Sequence, residues 1–411
     1  MDFSCRMAAH GSPKNRDSMR IAYLTARLPF PPIGGYRMRV YYTLRHLLRS
    51  HEVTLYAMGS QVKLNGTRHS DLPGLQQRIF NMGKAAYAWN GVTAFFSDLP
   101  LQVKLYECPR FAEALDSDIR SGAFDLLFVH LVRMAEYVRP HHHLPRVLDM
   151  ADSIYLHYSR MQKIWWNPIW LGARMDRNRI RLYEAEVPRW FDSVLVHTEE
   201  DLQWVQEQSG ATNLLQSSMG VDTEEFAFQE GPYNPRRIVY CGKLDYLPNT
   251  DAALYFANHI FPLVRRQVPD AQFSVVGLNP PRSVRALAQI PGIEVRANVP
   301  DIRPEVSSAA VSVAPIRFGA GIQNKILQAL AMGVPVVATR LAAKPFGGLA
   351  GSQVLAAETP QEFADQVVKI LQDSGFRAQL SRAGRSLIEA HFQWEKVLAP
   401  LDSFLARQIK T

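Results

Sequence analysis

The sequence predicts an α/β protein of two successive Rossmann-like domains facing each other across a cleft. Three observations carry this reading. Short apolar, β-branched runs alternate with longer amphipathic stretches, the pattern of βαβ units and a parallel sheet. The alternation breaks near Gln229–Arg236 (QEGPYNPR), where Gly, Pro and Asn cluster, and restarts more cleanly beyond it. The length, 411 residues, suits two or three domains at roughly 100–200 residues each.

In chain order, Arg20–Thr25 reads as a strand, followed by a Pro/Gly loop and a helix from about Met38 to Ser50. Strand Glu52–Ala57 follows, then an irregular, mostly helical stretch over about 60–120. Leu126–His130 and Arg146–Leu148 are strand-like, and Ser193–Thr198 is a strand entering a helix at Glu199. Beyond the break, strands are expected at Arg237–Cys241, Gln272–Val276, Gly292–Ala297, Val311–Ala314, Val334–Ala338 and Gln353–Ala356. Helices are expected at about Thr250–Gln267, Pro281–Gln289, Ile302–Ser308, Ile322–Met332 and Pro360–Ser374. The boundaries that result are a disordered extension 1–18, a first domain 19–230, a second domain 231–391 and a C-terminal helix 392–411 packing back across the domain junction.

Composition narrows the function without naming it. With 47% hydrophobic and 20% charged residues the chain is neither disordered nor low-complexity. Cys5, Cys108 and Cys241 are too few and too scattered for a disulfide framework or a zinc ribbon, which points to a reducing compartment. No window approaches the ~20 apolar residues of a membrane span, and the N-terminus lacks a signal peptide's apolar core. The expected location is the cytoplasm, with peripheral attachment to the inner membrane as an option. The net charge of +8 favours anionic partners: nucleotide phosphates, an anionic membrane face or nucleic acid. No recognised nucleic-acid module accompanies the charge.

Two loops are candidates for phosphate. The first strand runs into PPIGGYRMR, where Gly34 and Gly35 allow close backbone approach ahead of a helix N-terminus, and Arg37 and Arg39 add charge. Strand Val311–Ala314 runs into a turn containing Gly319 and Gly321, with the helix starting near Ile322, Arg317 before it and Lys325 one turn in. Either loop is also compatible with ordinary turn and βαβ packing. Neither is a Walker loop, and Asn324 stands where the dinucleotide fingerprint needs its third glycine.

Together with the strand ending FVH at His130, MGVD at Met219–Asp222, YCGKLDYLPN at Tyr240–Asn249 and the helix around Trp394, the segment GAGIQNKILQALAMGVPVVAT resembles the retaining glycosyltransferases of family 4. The wording LPN and GIQNK is most similar to bacterial exopolysaccharide enzymes, including exosortase-associated ones. The resemblance implies the GT-B fold and transfer of a sugar from a nucleoside-diphosphate donor to a bacterial surface saccharide or lipid-linked acceptor. It implies no cofactor beyond the donor and no required metal. Lys243 and Lys325 are the matches to the family's cationic pair on the leaving diphosphate, with Arg317 in reserve. Gly34, Gly35, Arg37, Gly242, Gly319, Gly321, Ile322, Gln323, Asn324 and Gln328 would line the donor site. His130 would contact the transferred sugar, or else merely finish a buried strand. Cationic stabilisation of a developing anion is worth about 3–4 kcal/mol per donor in comparable sites.

Two departures stand out. The family's Glu, seven residues, Glu pattern falls on Ala320 and Gln328, and Met219 replaces the usual Asn before Gly-Val-Asp. Gln328 still offers a carbonyl acceptor but no charge. Other classes therefore stay open: a non-catalytic GT-B scaffold of a polysaccharide assembly system, or a nucleotide-sugar epimerase.

Weaker signals have bland readings beside the functional ones. Asp116 and Asp118 form an Asp-x-Asp in an expected helix, where the carboxylates fall on different faces. The run His141–His143 lacks spaced partner ligands for zinc. Asp149 and Asp152 stand where they would line the cleft mouth and position the acceptor, or cap helices in solvent. Arg160–Trp190 carries Trp165, Trp166, Trp170 and Trp190 among seven cationic and three acidic residues. Such a stretch suits an acceptor or an anionic membrane surface, with Arg39 nearby in function, or a buried aromatic core with arginines outside.

Overall fold

The computed structural model describes residues 18–59, 72–161, 168–229, 231–319, 321–349 and 353–409. Two parallel sheets organise it. The first has the order β3-β2-β1-β4-β5-β6-β7, from β1 (Arg20–Thr25), β2 (Glu52–Met58), β3 (Gln76–Phe80), β4 (Leu126–His130), β5 (Arg146–Ala151), β6 (Ser193–Val196) and β7 (Leu214–Gln216). The second has the order β10-β9-β8-β11-β12-β13, from β8 (Asn234–Lys243), β9 (Gln272–Leu278), β10 (Ile293–Ala297), β11 (Ala309–Ala314), β12 (Val336–Thr339) and β13 (Val354–Ala357). Helices cover both faces, so the central strands are buried throughout: every residue of β4 (LLFVH) and β11 (AAVSVA) is buried.

In each sheet the chain winds one way and then the other, reversing between β1 and β4 and between β8 and β11. Crevices at the carboxyl ends of strands flanking such a switch are where open α/β sheets bind ligands. Both glycine loops lie there, one after β1 and one after β11.

Four features differ from the sequence expectation. β3 (QQRIF) falls in the stretch read as helical; it is an edge strand, largely exposed and polar, so it lacks the apolar run of its neighbours. β7 is three residues long. The helix Ser374–His391 was not anticipated, because Gly375 and Gly384 interrupt its pattern. Gly384 is needed for packing, since a Cβ there would lie 2.7 Å from Leu330 Cδ2. The long helix expected over Thr250–Gln267 runs instead as Leu247–Tyr255, a π turn Phe256–Ile260 and Phe261–Gln267, with Pro262 removing an N–H at the break.

The last helix, Trp394–Ile409, lies against α1 (Gly35–Leu47) of the first domain. Tyr42 and Trp394 stack at 4.7 Å, and Arg49 pairs with Glu395 at 2.9 Å. Among the described residues, no helix is long and apolar enough to cross a membrane.

Candidate functional site

The two glycine loops face each other. Gly34 adopts φ 89°, which favours glycine, and serves as the N-cap of α1. A Cβ on Gly35 would lie 3.4 Å from Asn324 Nδ2 of the second domain, and Met38 Sδ stands 3.6 Å from the same nitrogen. Gly321, at φ 71°, abuts the first domain: a Cβ there would lie 2.6 Å from both carboxylate oxygens of Asp152. Gly319, Gly321 and Gln323 also line an inter-domain cavity of about 680 Å³, together with Thr198, Lys344 and Lys396.

Helix Asn324–Ala331 starts at the second loop with no side-chain cap hydrogen bond. Lys325 in its first turn is buried, and its ammonium donates to Tyr240 Oη at 2.8 Å and Asn249 Oδ1 at 2.7 Å while lying 4.2 Å from the Tyr240 ring centre. Among the described residues no carboxylate pairs with it. Burial lowers its pKa to about 8, against a smaller raising effect of Cys241. Gly242 opens this pocket, since a Cβ there would lie 3.2 Å from Lys325 Nζ and 3.0 Å from Asn249 Nδ2. Asn249 is held by donating to the Lys243 carbonyl at 2.9 Å. A buried cation without a protein anion is costly unless something compensates it.

The first-domain floor is a buried chain of charge. Arg39 Nε donates to Asp149 Oδ2 at 2.8 Å, and the His130 Nδ1–Asp149 Oδ2 distance is 3.1 Å. Arg39 also donates to Ser217 Oγ and the Ser218 carbonyl. Burial opposes ionisation of Asp149, but Arg39 and His130 overcome it and hold the carboxyl well below the usual range. Burial lowers the pKa of His130, with Asp149 acting the other way. That leaves His130 Nε2 buried with no hydrogen-bond partner, in a ring that Tyr36 meets edge-on at 4.8 Å. Tyr36 Oη is 2.5 Å from Thr25 Oγ1 at the end of β1.

Several expectations change here. Arg39 and Asp149 do not face an acceptor or a membrane: both are fully buried in one ion pair, and they orient His130 instead. Lys243 is 57% exposed and paired with Asp245 at 3.0 Å, whereas Lys325 is buried. Arg317 is committed to Asp251, at 2.9 Å from Nε, and stacks over Tyr255 at 4.5 Å. Ile322 is buried, Gln328 is half-buried on the helix bearing Lys325, and Arg37 is half-buried in the first turn of α1. Trp165 and Trp166 lie outside the described residues, and for Trp170 only the backbone, in helix Pro168–Glu186, is described. Asp116 and Asp118 have structural partners, His141 at 2.6 Å for the first and Tyr56 and Arg78 for the second.

The sequence reading missed His197, although its strand ends LVH just as β4 ends FVH. Its Nδ1 is 3.4 Å from Asp152 Oδ1, and its Nε2 is buried without a partner, like that of His130. It also missed Tyr240 and Asn249 as the cradle of Lys325.

Residues 235–373 match the family model described as glycosyl transferases group 1. The second domain is a group 1 glycosyl transferase domain. Its matched span contains β8, the Lys325 pocket and the whole second glycine loop. No curated protein sequence matches the chain significantly. Solved structures overlap the glycosyl transferase domain and the first domain together. Sucrose-phosphate synthase from Thermosynechococcus elongatus does so with TM-score 0.73 and 15% identity, over 95% of this chain and 99% of its own. HepE of Anabaena, solved in complex with UDP and glucose, has TM-score 0.64 and 11% identity over 95% and 100%. WaaG, a glycosyltransferase involved in lipopolysaccharide biosynthesis, has TM-score 0.61 and 13% identity over 93% and 99%. At these identities the likeness shows the fold: the chain has the two-domain GT-B fold, with the group 1 glycosyl transferase domain as its second half.

Proposed function

We propose that the protein is a retaining glycosyltransferase that moves a sugar from a nucleoside-diphosphate donor to a bacterial surface saccharide or a lipid-linked acceptor. The observation that carries this reading is Lys325, a buried ammonium with no carboxylate partner among the described residues, beside Gly242 and the loop bearing Gly319 and Gly321. An anion of two phosphates would meet the ammonium and the free N–H groups of helix Asn324–Ala331 together. That field stabilises the charge developing on the leaving diphosphate and needs no metal to do so. HepE, which shares the fold, is solved with UDP and glucose, which supports a nucleotide-sugar donor. His130, oriented through Nδ1 by Asp149, offers Nε2 to the transferred sugar.

The test is release of UDP or GDP from a panel of nucleotide sugars with saccharide and lipid-linked acceptors. Acceptor-dependent release that collapses in Lys325→Ala supports transfer. Conversion of the donor without any acceptor would replace transfer by epimerisation, and an absence of nucleotide binding in calorimetry would make the protein a scaffold. Gln328, where a ribose-binding glutamate is expected, is the residue that favours testing for that last outcome.

A further inference from the structure

Two guanidinium groups lie together at the rim of the first domain with no counter-ion. Arg27, just past the carboxyl end of β1, donates to Tyr106 Oη at 3.3 Å. Arg133, just past the carboxyl end of the adjacent β4, donates to the same oxygen at 3.4 Å and lies 5.2 Å over the Tyr106 ring. Among the described residues neither has a carboxylate within ion-pair distance, and Arg133 Nε is buried with no partner at all. Two like charges sharing one hydroxyl repel each other unless an anion joins them. Arginine pairs of this kind suit the planar, bidentate recognition of phosphate oxygens. Burial works to raise the Tyr106 pKa, yet Arg133 and Arg27 bring it below the ordinary tyrosine value, which reports the strength of the local positive field.

Neither arginine is among the residues lining the inter-domain cavity beside Gly319 and Gly321. Arg27 stacks 6.0 Å from the Tyr36 ring, and Tyr36 meets His130, so the pair approaches the reaction floor from the first-domain side. On its other side, Tyr106 meets the ring of Tyr87 at 6.0 Å on α2 (Lys84–Thr93). That helix is inverted in its amphipathicity. Its inward contact is Asn90, which donates to the Glu107 carbonyl at 2.9 Å, while Ala85, Ala88, Trp89 and Val92 face outward. The outward stripe continues into the following turn with Phe95 and Phe96, giving exposures of 68% for Trp89, 64% for Phe95 and 90% for Phe96. No acidic residue lies between Lys84 and Ser97, and Arg179 caps the carbonyls of Ala94 and Phe95 at the end of the stripe. A Trp–Phe stripe flanked by Lys84 and Arg179, with the exposed Asp98 just past its end, has the composition of a bilayer-interface element.

We propose that Arg27 and Arg133 bind the diphosphate of a lipid-linked substrate, with the Trp89–Phe96 ridge set in the bilayer that carries its tail. The ligand class is an amphiphile with a phosphate or diphosphate head. This names the acceptor class and rests on the transfer reading above for its role in turnover. Contacts link the parts in sequence: the ridge helix through Tyr87 and Tyr106 to the guanidinium pair, then Tyr36, then His130. A tail in the bilayer, a head on the arginines and a sugar beyond it would reach the cleft floor in that order.

The experiment titrates the full chain, calorimetrically, with geranylgeranyl diphosphate below its micelle concentration, with geranylgeraniol and with UDP. The wild type is expected to bind the diphosphate at least tenfold tighter than the alcohol. Arg27→Gln with Arg133→Gln should weaken diphosphate binding tenfold or more and leave UDP affinity within twofold. Arg27→Lys with Arg133→Lys should retain part of the affinity. Trp89→Ser with Phe96→Ser should weaken diphosphate binding and reduce co-sedimentation with vesicles containing phosphatidylglycerol, again with UDP affinity unchanged. The proposal is overturned if wild type does not bind the diphosphate, if the glutamine variant binds it equally, or if that variant loses UDP in the same proportion, which would assign the arginines to the donor. It is also overturned if the serine variant keeps full vesicle binding or runs as a smaller oligomer, which would make the ridge a protein contact. A wild type that binds geranylgeranyl diphosphate but no nucleotide would sink the transfer reading and leave this site standing.

Discussion

Lys325 Nζ and Asn249 Oδ1 are 2.7 Å apart, and this hydrogen bond joins the helix after the glycine loop to the helix after β8. Tyr240 completes the cradle, donating from Oη to the same Asn249 oxygen at 3.0 Å. The ammonium is therefore fixed in direction before any anion arrives, and its charge is stabilised only by dipoles and a ring face. Preorganised, dry cations are worth more to a developing negative charge than solvated ones.

Replacing Lys325 by Met should cut kcat about 10²–10³-fold, by analogy with loss of one preorganised donor at a developing oxyanion. Steady-state release of the nucleoside diphosphate measures it. The same residue sets a pH dependence. Its pKa of about 8 lies below the ordinary 10.5, so between those values the unfolded chain holds a proton the folded chain has released. Stability relative to Lys325→Met should rise with pH in that window and be lowest below pH 8. A diphosphate favours the charged form, so nucleotide affinity should fall as pH rises above about 8, which calorimetry across pH 7–9.5 checks.

Gly242→Ala should weaken donor binding with little loss of fold. Its added methyl would press on Lys325 Nζ at 3.2 Å and Asn249 Nδ2 at 3.0 Å, both side-chain ends that can shift. Shifting them tilts the ammonium out of its cradle. An increase in donor KM with little change in melting temperature is expected. Gly321→Ala is harsher, because φ 71° and the Asp152 carboxylate at 2.6 Å both oppose a side chain.

Asp149→Asn should unfold the first domain more than it affects the second. It removes the partner of a fully buried Arg39, and an uncompensated buried charge costs about 3–5 kcal/mol. The carboxyl is held well below its usual pKa, so its contribution is present above the unfolded value and is lost as pH falls through the folded one. Denaturant unfolding of the variant at pH 7 measures the loss. A variant as stable as wild type would contradict the assignment of Arg39–Asp149 as the structural support of His130.

The sheet interiors and the placing of both glycine loops were legible in the sequence because each is a local pattern. β1 and β4 are continuous apolar runs, and the glycines after β1 and β11 sit where a strand must hand over to a helix. Pairing was not legible. Arg37, Arg39, Lys243, Arg317 and Lys325 look alike in sequence, yet only Lys325 is buried without an ion pair, because Asp149, Asp245 and Asp251 take three of the others. Those partners are set by tertiary packing: Arg39 and Asp149 are 110 residues apart. The Arg27–Tyr106–Arg133 group escaped notice for the same reason, since its three members come from separate loops. Edge strand β3 was missed because exposure removes the alternation on which strand recognition depends.

Glu184 gives the sharpest test of how the first-domain side of the cleft is held. Its carboxyl caps the helix Ile154–Met161, accepting from Ile154 N at 2.7 Å and standing 2.7 Å from Ser153 Oγ, immediately beside Asp152 at the glycine loop. Burial pushes its pKa up to about 8, against the hydrogen bonds that favour the charged form, so near pH 7 it is largely the neutral acid. The unfolded chain loses that proton near 4.5, so the wild-type contribution is fully present below that pH and declines as pH rises toward 8. Glu184→Gln keeps the shape and the acceptor oxygen while removing the titration. Its unfolding free energy should match that of wild type near pH 5 and exceed it at pH 8–9, by an amount on the order of a few kcal/mol. Glu184→Ala should be less stable than both at every pH, because two donors of the helix lose their acceptor. A wild type and a Gln variant whose stabilities run parallel from pH 5 to 9 would show that Glu184 is ionised throughout and that the cap is a carboxylate.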